Sequence, residues 1–269
     1  MVTATTRWLI QFGYDGAGFS GWARQPGART VEGEIRRGVV KLGLVRSLGT
    51  AAISVASRTD RGVSARANAL TLNSPLGGPA LLRALNGIAP DIVFRAAAPI
   101  ASAFDPRHAT SRTYRYFAPA RGHSLSAWKS NVALLTGRLD VRSFGREVPA
   151  DRPLWRDVDH VSVRRKGRWM VLEIRARSFV WGMVRKIVAT LRLLEEGDLT
   201  PAEVTAAVRG ERRLTLPLAP PEPLVLWKVD YPIVWTYRSR SWARRQVAYL
   251  QREGERAQVR SFLMRELFR

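Results

Sequence analysis

The order of hydrophobic and polar residues predicts a series of short strands and amphipathic helices. Apolar runs and period-two alternation predict strands over 7–14, 51–57, 67–73, 91–98, 111–118, 157–166, 169–177 and 224–230. Apolar residues at helical spacing predict helices over 31–44, 79–86, 181–196 and 201–209. These elements follow each other without strict βαβ alternation, which favours an α+β fold.

The predicted elements divide the chain into three segments. Residues 1–105 and 106–236 each combine strands with helices, so we expect two related α+β subdomains, although no sequence repeat is evident. Residues 237–269 are rich in Arg and have weak helical periodicity. We expect a basic helical extension there. It is either a solvated helix docked on the body or an additional element that contacts phosphate groups.

Charge indicates the class of partner. The 269 residues include 44 Lys and Arg against 22 Asp and Glu, which gives a formal net charge of +22. Only five of these cations are Lys. Arg binds phosphate groups bidentately and stacks on bases, so this excess favours a nucleic-acid partner. A GC-rich genome would explain the preference for Arg over Lys, but not the excess of cations over anions.

The sequence excludes several other classes of protein. The chain has no Cys, which excludes a disulfide scaffold, a cysteine zinc site, an iron–sulfur protein and a thiol nucleophile. Its three histidines are too scattered to form a metal-binding pair: His108, His123 and His160. No apolar run approaches the length of a membrane span, and the N-terminus lacks the apolar core of a secretory signal. We therefore expect a cytoplasmic protein without a metal or a membrane partner.

Two nucleotide-binding motifs are also excluded. Residues 16–21 match G-x-G-x-x-G after a predicted strand, but the next helix begins only near Val31. A pyrophosphate group at the glycines would therefore not meet a helix N-terminus. The chain contains no G-x-x-x-x-G-K-[ST] sequence. We interpret the glycine-rich segment as a turn.

The most informative segment is the polar loop 57–64, which joins two predicted strands. Its one carboxylate, Asp60, lies between Arg58 and Arg61, and Gly62 allows an unusual backbone angle. An Asp that only stabilises its own turn is common. A positioned, ionised Asp can instead act as a nucleophile or a base. The loop alone does not distinguish these two roles.

Two other segments combine charge or aromatic rings with predicted elements. Arg185 lies beside small residues on the predicted helix 181–196. It is either a surface cation or a buried cation that needs a carboxylate partner. Tyr114 and Tyr116 share one face of strand 111–118, as expected for base stacking or for ordinary sheet packing.

Taken together, five motifs of the chain resemble the TruA family of tRNA pseudouridine synthases. In order, they are Tyr14-Asp15-Gly16 with Phe19, Gly21, Trp22 and Gln25; Arg58-Thr59-Asp60 with Gly62 and Val63; Phe104 and Arg107 with Arg112-Thr113-Tyr114-Arg115-Tyr116; Phe179 with Met183-Val184-Arg185; and Leu224-Val225-Leu226 with Val229-Asp230-Tyr231-Pro232. The resemblance runs from about residue 7 to about residue 232. Four positions depart from the bacterial pattern and are similar to archaeal members: Arg61, Ser64, Gly182 and Lys186.

The resemblance implies a fold and a reaction. Family members have two RNP-like or ferredoxin-like α+β halves, joined by a continuous mixed sheet, with the catalytic cleft between them. They break the N1–C1′ bond of a uridine, turn the base and rejoin it through C5, an isomerisation that needs no cofactor and no metal. The implied substrate is the anticodon stem-loop of tRNA at positions 38–40, and the implied assembly is a homodimer.

The resemblance also implies roles for individual residues. Asp60 corresponds to the catalytic carboxylate, and Arg185 to its ion-pair partner. Tyr114 stacks on the target base or acts late as a base, Leu224 packs against the uracil, and Arg58 helps to displace the target nucleotide. The cations expected to contact RNA are Arg24, Arg61, Arg107, Arg112 and Lys186. The alternatives are a non-catalytic RNA-binding protein and a glycosidase, which typically uses two carboxylates.

Overall fold

The computed structural model describes residues 5–47, 52–148, 154–239 and 244–267. These residues contain ten strands and seven α-helices, which confirms the predicted mixed α+β class. In chain order the elements are β1 (Thr6–Tyr14), α1 (Val31–Lys41), β2 (Ser54–Val55), β3 (Ser64–Ser74), α2 (Gly78–Leu85), β4 (Ile92–Pro99), β5 (Ser111–Pro119), α3 (Leu125–Asn131), β6 (Gly137–Asp140), α4 (Val141–Phe144), β7 (Trp155–Lys166), β8 (Trp169–Ala176), α5 (Met183–Glu196), α6 (Pro201–Val208), β9 (Leu224–Asp230), β10 (Tyr237–Arg238) and α7 (Arg244–Leu267).

The chain forms two compact units that are not contiguous in sequence. The first unit contains Met1–Arg58, Ala69–Arg107 and Ile233–Arg269, and the second contains Thr59–Asn68 and His108–Pro232. This division differs from the predicted segments 1–105, 106–236 and 237–269. The reason is local pairing, since the start of β3 pairs with β9 in the second unit and β10 pairs with β4 in the first.

In the first unit, an antiparallel sheet carries a helical layer. Strand β4 pairs with β1 on one side and with the short β10 on the other. Helix α1 begins after Thr30, whose side chain accepts a hydrogen bond from the Gly33 N–H. Its apolar residues recur at helical spacing and are fully buried: Val31, Ile35 and Val39. The sheet contributes the buried side chains of Leu9, Ile10, Phe12 and Phe94.

A close contact between Gly78 of α2 and the Tyr237 ring fixes β10 against this helix. A Cβ atom at Gly78 would lie 2.2 Å from Cδ2 of Tyr237, whose ring packs edge-on against Trp8. Gly78→Ser is therefore expected to lower the free energy of unfolding by about 1–3 kcal/mol, because the ring must move. Gly77→Ser is the matched control, since a Cβ there meets nothing within 4 Å. Equal stability of the two variants in denaturant unfolding would contradict this packing.

In the second unit, the strands lie in the order β3, β9, β5, β8, β7 and β6. The start of β3 is parallel to β9, with Ser64 opposite Val225, and the other pairs are antiparallel. One face of these strands buries Leu172, Ile174, Val161 and Val163. Helix α5 buries Met183, Ile187 and Leu191 completely, which matches the apolar stripe that its sequence predicts.

Three local features differ from the expectations. The predicted strand 51–57 is reduced to Ser54–Val55, and residue 51 lies outside the described residues. Strand β6 was not predicted, because it has only four residues and its sequence shows no clear alternation of apolar and polar positions. Residues 237–238 form strand β10, so the predicted helical start at 237 is wrong. Helix α7 begins at Arg244, and residues 240–243 and 268–269 of the predicted extension are outside the described ranges. Pairing with β4, which no local pattern shows, determines β10.

Helix α7 is anchored on the first unit by polar side chains. The buried amide of Gln246 donates hydrogen bonds to Asn86 Oδ1 at 3.0 Å and to the Ile92 carbonyl at 2.8 Å. The hydroxyl group of Tyr249 donates to Asp15 Oδ2 at 2.8 Å. Burial, together with this bond to a carboxylate, raises the pKa of the Tyr249 phenol. The docked-helix interpretation therefore describes the first turns of α7, and a phosphate contact by the extension remains a prediction.

Candidate active site

The loop that carries Asp60 is held in place by the second unit. Gly62 has a φ of 81°, which only glycine adopts easily, and the Val63 N–H donates to the Asp60 carbonyl at 3.2 Å. Val63 is buried, and β3 begins at the next residue. Because β3 then pairs with β9, the loop lies at the start of β9, and a Cβ at Gly62 would be 3.3 Å from Pro221 Cγ.

Each carboxylate oxygen of Asp60 accepts a hydrogen bond from a different side chain. The guanidinium group of Arg185 donates to Oδ2 through Nη1 at 3.1 Å. The indole of Trp181 donates to Oδ1 through Nε1 at 2.8 Å. The Asp60 side chain is 24% exposed, so it is accessible to a substrate while both oxygens are bound. The structure thus brings together Asp60 and Arg185, which are 125 residues apart in sequence.

Arg185 is a mostly buried cation with a carboxylate partner, one of the two possibilities that its helix position allowed. Its side chain is 14% exposed, and its Nε–H donates to the Ala219 carbonyl at 2.6 Å. In return, the Ala219 N–H donates to the Arg185 carbonyl at 3.3 Å. The guanidinium group is therefore fixed at two ends, one on Asp60 and one on the backbone. This geometry is typical of a cation that orients a carboxylate.

The sequence did not indicate Trp181 as a site residue. It lies just before Gly182, the left-handed residue with a φ of 76° that precedes helix α5. Its exposed fraction is 48%, and the guanidinium group of Arg146 lies 4.1 Å from its ring centroid. The available signal was its position inside the Phe179 to Arg185 motif.

Tyr114 and Leu224 lie on adjacent strands of the second unit. Tyr114 is opposite Leu226, and Leu224 is opposite Tyr116, on the pair β5 and β9. Tyr114 and Leu224 are 8% and 4% exposed. The Tyr114 ring packs edge-on against Phe179 at 5.2 Å. Burial raises the pKa of the Tyr116 phenol.

The structure also places a second carboxylate close to the Asp60 loop. Glu222 is exposed, and its Oε1 would be 3.7 Å from a Cβ atom at Gly62. Asp60 and Glu222 are 162 positions apart along the chain (222 minus 60), so the sequence does not indicate that they lie close together. This proximity bears on the glycosidase alternative, which requires two carboxylates.

Three of the five expected RNA-contacting cations lie on the surface, as does Arg58, which is expected to displace the target nucleotide. Arg24, Arg58 and Arg61 are exposed. The Arg107 side chain is 74% exposed, although it forms a 2.7 Å ion pair with Asp105. These four side chains can reach a polyanion in solvent.

Two other expected RNA contacts are engaged inside the second unit. The buried guanidinium group of Arg112 donates to the Arg177 carbonyl, and burial lowers its pKa. The Lys186 ammonium donates to the carbonyls of Ser143 at 3.0 Å and Gly145 at 2.7 Å, and burial again lowers its pKa. Both side chains are thus bonded within the fold, and their contact with RNA stays a prediction.

The described ranges contain neither a metal site nor a membrane span. They contain no group of three or more His, Asp or Glu side chains that could hold a metal ion. In the same ranges, no helix is both long and apolar enough to cross a bilayer.

The fold and the site define a strongly basic α+β protein in which one partly exposed carboxylate pairs with a mostly buried Arg. A family model described as tRNA pseudouridine synthase matches residues 132–232. Two similar relatives are named tRNA pseudouridine synthase A: one from Thermococcus kodakarensis, 40% identical over 226 residues (83% of this chain and 84% of the relative), and one from Methanosphaerula palustris, 34% identical over 256 residues (91% and 90%). The chain belongs to the tRNA pseudouridine synthase family, which confirms the resemblance of its motifs, and members of this family are isomerases.

Proposed function

We propose that the protein isomerises uridine to pseudouridine in the anticodon stem-loop of tRNA, at positions 38–40, with Asp60 as the catalytic carboxylate. The observation that carries this proposal is the ion pair between Asp60 and Arg185 in a chain 40% identical to a protein named tRNA pseudouridine synthase A. The two residues lie in two of the motifs that the family resemblance matched.

A partly exposed carboxylate held by Arg185 supports the role proposed for Asp60. The reaction breaks the N1–C1′ bond, rotates the base, forms the C5–C1′ bond and releases the C5 proton to solvent. Asp60 acts by adding to the base, by adding to C1′ or by removing a sugar proton, and each route needs a positioned carboxylate at the nucleotide. Arg185 keeps the carboxylate oriented, since its guanidinium group is fixed on the Ala219 carbonyl.

The remaining site residues bind and present the nucleotide. Tyr114 stacks on the target base or acts late as a base, and Leu224 packs against the uracil. Both belong to the β5–β9 pair, beside which β3 begins after the Asp60 loop. Arg58, which is exposed, helps to displace the target from its helix, because a stacked base cannot react in place.

The finer predictions on architecture and assembly are part of the same proposal. They comprise two RNP-like or ferredoxin-like halves joined by a continuous mixed sheet around a catalytic cleft, a homodimer, and a cytoplasmic location. Light scattering of the purified protein tests the dimer, for which the expected mass is twice the 30.1 kDa of the chain.

Binding of tRNA is expected to weaken steeply with salt. If the four exposed arginines Arg24, Arg58, Arg61 and Arg107 each contact one phosphate, affinity falls about 50- to 150-fold between about 50 and 200 mM salt, because bound counterions are released. Arg24→Gln is expected to reduce the slope of log Kd against log salt by about 1. Filter binding over this range measures both slopes, and an affinity independent of salt would contradict phosphate contacts.

One observation favours a second candidate function. Glu222 lies beside Gly62 in the Asp60 loop, and a glycosidase typically uses two carboxylates. The products distinguish the two reactions, since a synthase leaves the base attached through C5 whereas a glycosidase releases free uracil.

Tritium release from unmodified tRNA transcript labelled at uridine C5 tests the proposed function. We expect the wild type to release tritium to water without releasing uracil. Release of labelled uracil would instead identify a glycosidase. Tight, salt-sensitive binding of tRNA with neither product would identify a non-catalytic RNA-binding protein.

A further inference from the structure

We propose that Trp181 is a positioning residue for Asp60. Its indole N–H holds oxygen Oδ1, and together with Arg185 it fixes the plane of the reacting carboxylate. This inference rests on the proposed function, since it assigns the role of Trp181 within that reaction.

The two hydrogen bonds of Asp60 come from different elements and end on different oxygens. Arg185, on helix α5, donates to Oδ2, while Trp181, in the segment before that helix, donates to Oδ1. The terminal torsion of an Asp side chain is broad, so one donor leaves the carboxylate free to turn. Two donors on separate oxygens remove that freedom. A misplacement of about 1 Å at a reacting group can cost about 100-fold in rate, so this restriction matters.

Trp181 is itself held in position. The Arg146 N–H donates to the Trp181 carbonyl at 2.8 Å, and the Arg146 guanidinium group lies over the indole at 4.1 Å. The next residue, Gly182, adopts a left-handed conformation, and a Cβ there would lie 3.1 Å from both Arg146 Cγ and Leu218 Cδ2. Glycine thus permits the close approach of Arg146 and turns the chain so that the indole reaches Asp60.

The two side chains that donate to Asp60 differ in their exposure to solvent. Arg185 holds its oxygen from the buried side, since its side chain is only 14% exposed. Trp181 holds the other oxygen from the solvent side, where almost half of the residue is exposed. A tryptophan combines an apolar ring with an indole N–H group, which usually makes a polar contact. The indole N–H to Asp60 provides that contact, at the side from which a nucleotide must arrive.

The sharpest variant removes only the N–H group. Replacing Trp181 by 3-benzothienylalanine keeps the bicyclic shape but has sulfur in place of N–H, and Trp181→Phe removes the same donor with a smaller ring. In single-turnover reactions with saturating tRNA, both variants are expected to react about 10- to 100-fold more slowly than the wild type, with Kd for tRNA unchanged within about twofold. Trp169→Phe is the matched control and is expected to react at the wild-type rate. This residue is 37% exposed in the same unit, and Arg168 lies over its ring.

A spectroscopic measurement tests the hydrogen bond without relying on activity. In protein labelled with ¹⁵N-tryptophan, the indole resonance missing from Trp181→Phe is that of Trp181. We expect its proton to move upfield in Asp60→Asn, because a neutral amide oxygen is a weaker acceptor than a carboxylate. A wild type that forms no pseudouridine would refute the proposed function, whereas this shift still reports on the contact.

Three results would overturn the role of Trp181. They are wild-type turnover in the 3-benzothienylalanine variant, a loss of tRNA affinity with unchanged turnover at saturation, and an indole resonance that is the same in wild type and Asp60→Asn. The second result would make Trp181 a contact for RNA rather than a positioning residue.

Discussion

Asp60→Asn is expected to lower the rate of pseudouridine formation by at least about 10³-fold while tRNA affinity changes by less than about twofold. The amide preserves the shape of the side chain and still presents an oxygen to the Trp181 indole. It lacks the negative charge that faces Arg185 and the reactivity of a carboxylate. Tritium release at saturating tRNA measures the rate, and filter binding measures the affinity.

Glu222→Gln is the matched control for Asp60→Asn. It neutralises a carboxylate beside the same loop, but one that is exposed. We expect it to react at close to the wild-type rate. Loss of activity in both variants would indicate a reaction with two carboxylates, whereas an active Asp60→Asn would remove Asp60 from the chemistry altogether.

Arg185→Gln is expected to lower turnover by about 100-fold, a loss comparable to that on removing one preorganised donor from an active site. The change deprives Asp60 Oδ2 of its cation and leaves the Ala219 carbonyl without the 2.6 Å bond from Nε. Arg185→Lys should not restore activity, because one ammonium group cannot replace the planar guanidinium group that donates to both Asp60 and the Ala219 carbonyl. Single-turnover kinetics measure the effect, and unfolding curves confirm that the variants are folded.

Arg192→Gln serves as the control for Arg185→Gln. Arg192 lies on the same helix, its side chain is 41% exposed, and its partner is Glu196 one turn later. Such an exposed pair contributes little to stability, so turnover should stay at the wild-type value. If both variants lost activity equally, the effect would come from the charge of the helix and not from the bond to Asp60.

Hydrophobic periodicity was sufficient for most elements, because helices and strands bury faces at fixed spacing. It located α5 and showed that Arg185 lies beside small residues, from which the need for a carboxylate partner could be stated. The identity of that partner as Asp60 came from the family resemblance. The role of Trp181 was not predicted, because a tryptophan near the start of a helix usually packs in the core. Its contact with Asp60 depends on the tertiary structure, which brings together two residues 121 positions apart.

The charges of the sequence also predicted only part of the structure. Composition indicated a polyanionic partner, but it could not tell which cations face solvent. Arg112 and Lys186 donate hydrogen bonds to backbone carbonyls, a contact that only the tertiary structure shows. The short strand β10 could not be predicted either, because two residues are too few to show an alternating pattern. Only its pairing with β4 defines it.

Mapping pseudouridine on one tRNA transcript tests the central claim most directly. An unmodified transcript with uridine at positions 38, 39 and 40 is incubated with the wild type, treated with carbodiimide and read by primer extension. The predicted result is new stops at these uridines, absent from a transcript with cytidine there and absent after incubation with Asp60→Asn. No stop at positions 38–40 with the wild type, or stops only elsewhere in the tRNA, would contradict modification of the anticodon stem-loop.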